Sequence, residues 1–242
     1  MCTVTFIPSN KQIFLTSNRD EKHWRAAARL PEAYPGKSGK IIFPKDGDAG
    51  GTWFAVHENG NAVVFLNGGF IRHTPQPPYR KSRGLILLEL IDHESPIESF
   101  RNILLGNIEP FTAVIWEDQK LYECRWDGHE KHEACLPPDV PHIWSSVTLY
   151  DPDVIIKRRN WFNEWLTHHP HPTQEEILRF HQFTGDGDQH NDLMMNRDGK
   201  VFTVSVTSAC IGNGQIITEY VDVKKENTTR RNFPIINASL KA

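Results

Sequence analysis

The chain has 242 residues, 38% hydrophobic and 24% charged with 16 glycines, an ordinary globular composition that excludes collagen-like, coiled-coil and disordered classes. Its 27 Lys and Arg against 30 Asp and Glu leave a net charge of −3, and no basic block of five or more occurs, which argues against a nucleic-acid partner. A chain of this length buries a core without disulfide or metal support, and with no repeat or low-complexity linker a single domain over 1–242 is expected. Cys2, Cys124, Cys135 and Cys210 fit neither a C-x-x-C pair nor a secreted disulfide framework, so a reducing cytosol is the expected setting. No signal-peptide pattern opens the sequence and no apolar run approaches the roughly 18 residues of a membrane span.

Residues 3–7 and 12–17 are β-branched and aromatic runs separated by Pro8-Ser9-Asn10-Lys11, which predicts an N-terminal hairpin. Further strands are expected over 40–43, 52–57, 62–66, 111–117, 120–126, 201–206 and 215–223. The apolar run 83–91 predicts a buried helix. Ser95-Pro96-Ile97-Glu98 signs a second helix, with Ile97, Phe100 and Leu104 as its buried stripe and Gly106 as its end. A third begins near Asp151-Pro152 and carries Val154, Ile155, Arg158, Trp161, Phe162 and Trp165 on one side; a fourth begins at Thr173, where Glu176 closes a capping box. Strands, then helices, then strands indicate an α+β fold with helices covering mostly antiparallel sheets.

The densest polar run, Asn18-Arg19-Asp20-Glu21, follows an apolar strand and alone reads as a solvated strand end. The hairpin changes that. With its turn at Ser9-Asn10, Ile7 opposes Gln12 and Cys2 opposes Ser17, so Arg19 and Asp20 are expected within about 7–10 Å of Cys2. Removal of Met1 would give Cys2 a free α-amine of pKa about 8, a general base on the nucleophile itself. Arg19 would favour the thiolate and Asp20 would orient the α-ammonium by a charge-assisted hydrogen bond. The plain alternative is a small buried apolar cysteine, the fate expected for Cys124, Cys135 and Cys210.

The opening Met1-Cys2-Thr3, the tetrad Asn18-Arg19-Asp20-Glu21, Gly50-Gly51-Thr52-Trp53 and Ser82-Arg83-Gly84 resemble the NRDE, or transport and Golgi organisation, family, most strongly over 1–91. That family is similar in turn to the cysteine N-terminal nucleophile hydrolases, whose choloylglycine and penicillin V acylase members begin M-C-T and carry Asn-x-Asp after the first hairpin. The resemblance implies a four-layer αββα sandwich of antiparallel sheets. It also implies catalytic roles for Cys2, Arg19, Asp20 and Asn67 and substrate contact by Asn18 and Glu21. Asn67 enters because Glu58-Asn59-Gly60, a short strand and Leu66-Asn67 keep the acylase spacing, which makes its amide the candidate oxyanion donor. Asn18, Asp20 and Asn67 are then expected to converge on Cys2. Strict alternation beyond Ser17 would instead turn Arg19 and Glu21 toward Cys2, and a bulge at the strand end is expected to favour Asp20. The chain departs from the acylases at Ser17, where they carry Arg, at Trp144-Ser145-Ser146-Val147-Thr148, where they carry a second Asn, and in 185–192, which lacks their late Arg. Whether Arg19 and either Ser145 or Ser146 take those places is open.

Other motifs carry less. Pro35-Gly36-Lys37-Ser38 lacks the first P-loop glycine, Asp186-Gly187-Asp188-Gln189-His190 lacks the sixth-position Gly and twelfth-position Glu of a calcium loop, and prolines break up His168-His169-Pro170-His171. No metal or cofactor is expected. The leading expectation is a cytoplasmic amide or related acyl hydrolase. The alternatives are a carrier of a lipid or haem ligand on the same fold, which the resemblance implies, and an interaction module; the oligomeric state is open.

Overall fold

The computed structural model describes residues 3–236, so Cys2 lies outside the described residues. Strands β1 (Thr3–Ser9) and β2 (Gln12–Lys22) form the expected hairpin, with a tighter turn. Asn10 and Lys11 alone make it, at φ 51° and 63°, the left-handed pair of a type I′ turn. Ser9 therefore pairs with Gln12 and Thr3 with Asn18, a register two residues away from the expected one. Pro8 belongs to the strand rather than to the turn. Ser9–Gln12 is the hydrogen-bonded pair that closes the two-residue turn, so the next rung, Pro8–Ile13, is a non-hydrogen-bonded pair and the missing N–H of Pro8 interrupts no bond to Ile13.

The first sheet runs β10 (His142–Ser145), β1, β2, β12 (Val201–Gly212), β13 (Gln215–Asp222), β14 (Asn227–Pro234), with β11 (Asn196–Arg197) on β12. The second runs β3 (Arg29–Pro35), β4 (Lys40–Lys45), β5 (Phe54–His57), β6 (Ala62–Asn67), β7 (Phe111–Glu117), β8 (Lys120–Trp126), β9 (Lys131–Leu136). Every pairing is antiparallel. Helices α1 (Arg83–Ile91) and α2 (Pro96–Asn102) cover the second sheet through β5, β6 and β7. Helices α3 (Pro152–His168) and α4 (Gln174–Phe183) cover the first through β10, β2 and β12. The result is the four-layer αββα sandwich.

Side-chain alternation divides the core accordingly. Val4, Phe6, Ile13 and Leu15 join the main cluster between the sheets, whereas Ile7 and Phe14 turn the other way onto Phe162 of α3 and Ile177 and Phe180 of α4. Two expectations differ in detail. Helix α2 ends at Asn102 and Ile103 is extended, so Leu104 leaves the stripe and is 81% exposed. Cys124 and Cys210 are buried, but Cys135 is exposed because β9 is an edge strand.

Phe162 is fully buried between α3, α4 and the first sheet. Phe162→Ala is expected to lower the unfolding free energy by about 3–5 kcal/mol, measured by urea denaturation.

Candidate active site

Where β1 begins, β6 ends and α1 starts, a cavity of about 400 Å³ opens. The first sheet contributes Arg19 and Glu21, odd positions of β2; the second contributes Trp53, Phe65 and Asn67, and the start of α1 contributes Ser82, Arg83 and Gly84. Asp46 ties the first group together. Arg19 donates to its Oδ2 at 2.5 Å and Arg25 at 2.8 Å, while the N–H groups of Asp48 and Ala49 donate to its Oδ1. Burial alone would raise the Asp46 pKa, but the Ala49 N–H, Arg19 and Arg25 outweigh it and hold the carboxyl below its usual value. The Arg19 guanidinium also lies 4.4 Å from the centre of the Trp53 ring, and Glu21 stands 3.6 Å from Arg19 and 3.5 Å from Arg25.

The two glycine motifs meet here. A Cβ on Gly51 would lie 2.5 Å from the carbonyl carbon of Gly84, and a Cβ on Gly84 would lie 2.8 Å from the Thr52 oxygen, so only glycine lets the start of α1 reach the backbone before β5. The Thr52 N–H donates to Gly84 O at 3.3 Å. This contact brings Arg83 to the cavity wall, where Glu109 pairs with it at 3.1 Å.

Of the expected residues, Arg19, Glu21 and Asn67 share this cavity, whereas Asn18 and Asp20 lie on the opposite face of the first sheet. The side chain of Asn18 is fully engaged there: its Nδ2 donates to the carbonyls of His181 and Leu193, at 3.1 and 2.9 Å, and His181 Nδ1 donates to its Oδ1. The other ring nitrogen of His181 accepts from Thr5 Oγ1 at 2.8 Å, an arrangement that requires the neutral ring. Burial, with Arg158 nearby, pushes the His181 pKa down to about 3.

Asp20, 4% exposed, receives one hydroxyl on each oxygen, Thr203 on Oδ1 at 2.6 Å and Tyr150 on Oδ2 at 2.7 Å. A bulge is present, but in β12 between Thr203 and Ser205 rather than in β2. It shifts the parity of β12 and sets Thr203 opposite Asp20. Strict alternation in β2 thus persists to its end. Ser145 pairs with Thr3, and the hydroxyl of Ser146 donates to the Asn67 carbonyl at 2.9 Å. Sequence reasoning missed Asp46, Arg25, Tyr150 and Glu109, which stand outside any motif; the capped start of α1 beside Arg83 was the only local signal. Among the described residues no group of three His, Cys, Asp or Glu is placed to hold a metal ion, and no helix is long and apolar enough to cross a membrane.

The layers and their connections are those of the N-terminal nucleophile hydrolase fold. An orthologue of N-acylethanolamine-hydrolysing acid amidase from Caenorhabditis elegans superposes with a TM-score of 0.61 at 10% identity, covering 86% of this chain and 92% of that one. Two variants of a conjugated bile acid hydrolase from Clostridium perfringens superpose with TM-scores of 0.60 and 0.56 at 11% identity, each covering 98% of both chains. The chain belongs to the Transport and Golgi organisation 2 family, whose sequence profile matches residues 1–230. A comparison with curated protein sequences returns no match.

The neutral, buried His181 carries a pH signature. The unfolded histidine takes a proton near pH 6.5 and the folded one only near 3, so the unfolded state binds more protons in between. Its contribution to stability is complete above about pH 6.5 and is lost as the pH falls toward 3. His181→Gln is expected to flatten the decline in denaturation midpoint between pH 7 and 4.

Proposed function

We propose that this protein, as a single domain over 1–242, is an N-terminal nucleophile hydrolase of an amide or related acyl bond, with Cys2 as the nucleophile. The observation that carries this reading is the convergence of Arg19, Glu21 and Asn67 with both glycine motifs on one cavity at the end of the sandwich where β1 begins. Cys2 is bonded directly to Thr3, and Thr3 pairs with Asn18, the neighbour of Arg19 in β2. Support for Asp20 comes from charge: it is a buried carboxylate with two hydroxyl donors and, among the described residues, no cationic side chain within 4 Å. A carboxylate of this kind accepts a hydrogen bond from the α-amine left by removal of Met1 and stabilises the ammonium that forms once the thiol proton is transferred.

In this reading the two faces of β2 divide the chemistry. On the cavity side the Cys2 thiol attacks the substrate carbonyl and transfers its proton to the α-amine, while Arg19 favours the thiolate and the Asn67 amide donates to the oxyanion. The ammonium then protonates the leaving group as the carbon–nitrogen bond breaks, and a thioester remains. Water attacks the thioester with the amine again as base, releasing the acid and the thiol. Asp20, on the other face, orients the amine. Asn18 supports this geometry from within the sheet, and Glu21 holds the arginines at the cavity rim.

The cavity wall bears on the substrate and on the carrier alternative. Arg19, Arg25, Lys81 and Arg83 alternate with Glu21, Asp46 and Glu109, and Trp53 and Phe65 are the large apolar contributions. A wall of this polarity suits a small substrate with a polar head better than a haem or a long lipid chain, which require mostly apolar linings.

Intact-mass analysis of protein from its native source is expected to show Met1 removed, and incubation with a panel of N-acyl amides is expected to give a transient acyl adduct on Cys2. Cys2→Ala should abolish both adduct and product. Retained Met1 together with stoichiometric ligand binding and no adduct would instead establish the carrier. Asp20→Asn is expected to reduce turnover by at least tenfold more than Glu21→Gln at matched folded fraction, because Asp20 meets the proton carrier and Glu21 only the arginines; the reverse order would reassign the amine to the cavity face.

A further inference from the structure

Helix α3 places Arg158 in the interior with no exposed surface, directly beneath the start of β1. Its guanidinium donates to Thr3 Oγ1, to Asn191 O at 3.0 and 3.2 Å and to Asp192 O at 2.7 Å. Among the described residues no carboxylate lies within 4 Å of it, so hydroxyl and carbonyl oxygens alone satisfy this buried cation. The guanidinium carbon stands 3.6 Å from the centre of the Tyr150 ring, and the hydroxyl of that ring donates to Asp20 Oδ2 at 2.7 Å. Burying a cation without a counter-ion is costly, and packing alone would be met as well by an apolar side chain of similar volume. Arg158 and Asp20 are opposite buried charges separated by one aromatic ring, and Thr3, which Arg158 holds, is the residue after Cys2.

We infer that Arg158 and Tyr150 are positioning residues that keep the Cys2 α-amine in its neutral, proton-accepting form. The inference rests on the reading of Cys2 as an N-terminal nucleophile. A free α-amine is largely protonated below about pH 8, and a carboxylate beside it strengthens the ammonium further, which opposes a base at neutral pH. Arg158, buried against Thr3, opposes that effect by charge repulsion, and Tyr150 draws charge from Asp20 by hydrogen bonding. Every surrounding element enters the balance. The strand β2 presents Asp20 and, through its other face, Arg19 and Glu21; β12 presents the neutral hydroxyl of Thr203; α4 presents the neutral His181. Arg197 lies 5.4 Å from the centre of the Tyr150 ring, while Arg25 and Asp46 stand beyond Arg19 on the cavity side. Arg158 is the cation that donates to Thr3, and unlike Arg19, which pairs with Asp46, it has no carboxylate partner among the described residues.

The test is the pH dependence of Cys2 alkylation by iodoacetamide in protein lacking Met1, followed by peptide mass. The carbon–sulfur bond forms as iodide leaves, and the thiol proton passes to the amine, so the midpoint reports the thiol–amine pair as a unit. The unaltered protein is expected to show a midpoint below that of a free cysteine, with Cys2 modified faster than the exposed Cys135. Tyr150→Phe, which preserves the ring, and Arg158→Met are each expected to raise the midpoint by about one pH unit. Arg158→Lys is expected to restore most of it, because the charge returns. If Cys2 is fast in the unaltered protein but Tyr150→Phe and Arg158→Met leave the midpoint within about 0.2 unit, the inference is overturned while the nucleophile reading stands. Cys2 reacting no faster than Cys135 in the unaltered protein would overturn both.

Discussion

A period of two along a single strand organises this molecule. From Ser17 to Glu21 strand β2 keeps strict alternation, so Arg19 and Glu21 reach the cavity while Asn18 and Asp20 reach the opposite face, toward His181, Tyr150 and Thr203. The polar tetrad is divided accordingly, Arg19 and Glu21 to one side, Asn18 and Asp20 to the other. Because β2 lies between β1 and β12, every rung of its register also fixes where β1 begins and which residue of β12 reaches Asp20. A one-residue slip would exchange the two faces and take the arginine from the cavity.

Electrostatics holds the cavity side together, and close backbone contact shapes it. Two guanidinium groups and two N–H donors converge on Asp46, so the loop before β5 is fastened to β2 on the other sheet. Gly51 and Gly84 then allow the start of α1 to touch that loop directly. The sandwich is joined at this end by charge and by backbone contact where the interior elsewhere is joined by apolar side chains.

The order of elements was legible wherever strands are interior. The strands over 111–117 and 120–126 and the helix over 83–91 have the expected bounds, because their apolar runs pack on both sides. Of the strands that were missed, β3, β9, β10 and β14 are the four ends of the two sheet orders, and the fifth, β11, is a two-residue strand that pairs only with β12. Edge strands leave one side open to water, so Pro31 and Pro35 are tolerated in β3 and Arg230, Arg231 and Asn232 in β14, and the β-branched signal disappears. The site was legible where chemistry is local, in the tetrad and the glycine motifs, and hidden where it is assembled from afar. Asp46 sits 27 residues from Arg19, and Tyr150 sits 130 from Asp20, separations at which spacing carries no information.

The tight turns have a practical consequence. Asn10-Lys11, Asp118-Gln119 and Asn213-Gly214 are left-handed hairpin turns drawn from both sheets, and all border the groove at the end of the sandwich away from the cavity. The chain reverses there without contributing a side chain to the cavity. Split-reporter fragments, affinity tags or a circular permutation breakpoint belong at that end, where an added peptide would sit a full strand length from Arg19 and leave the start of β1 untouched.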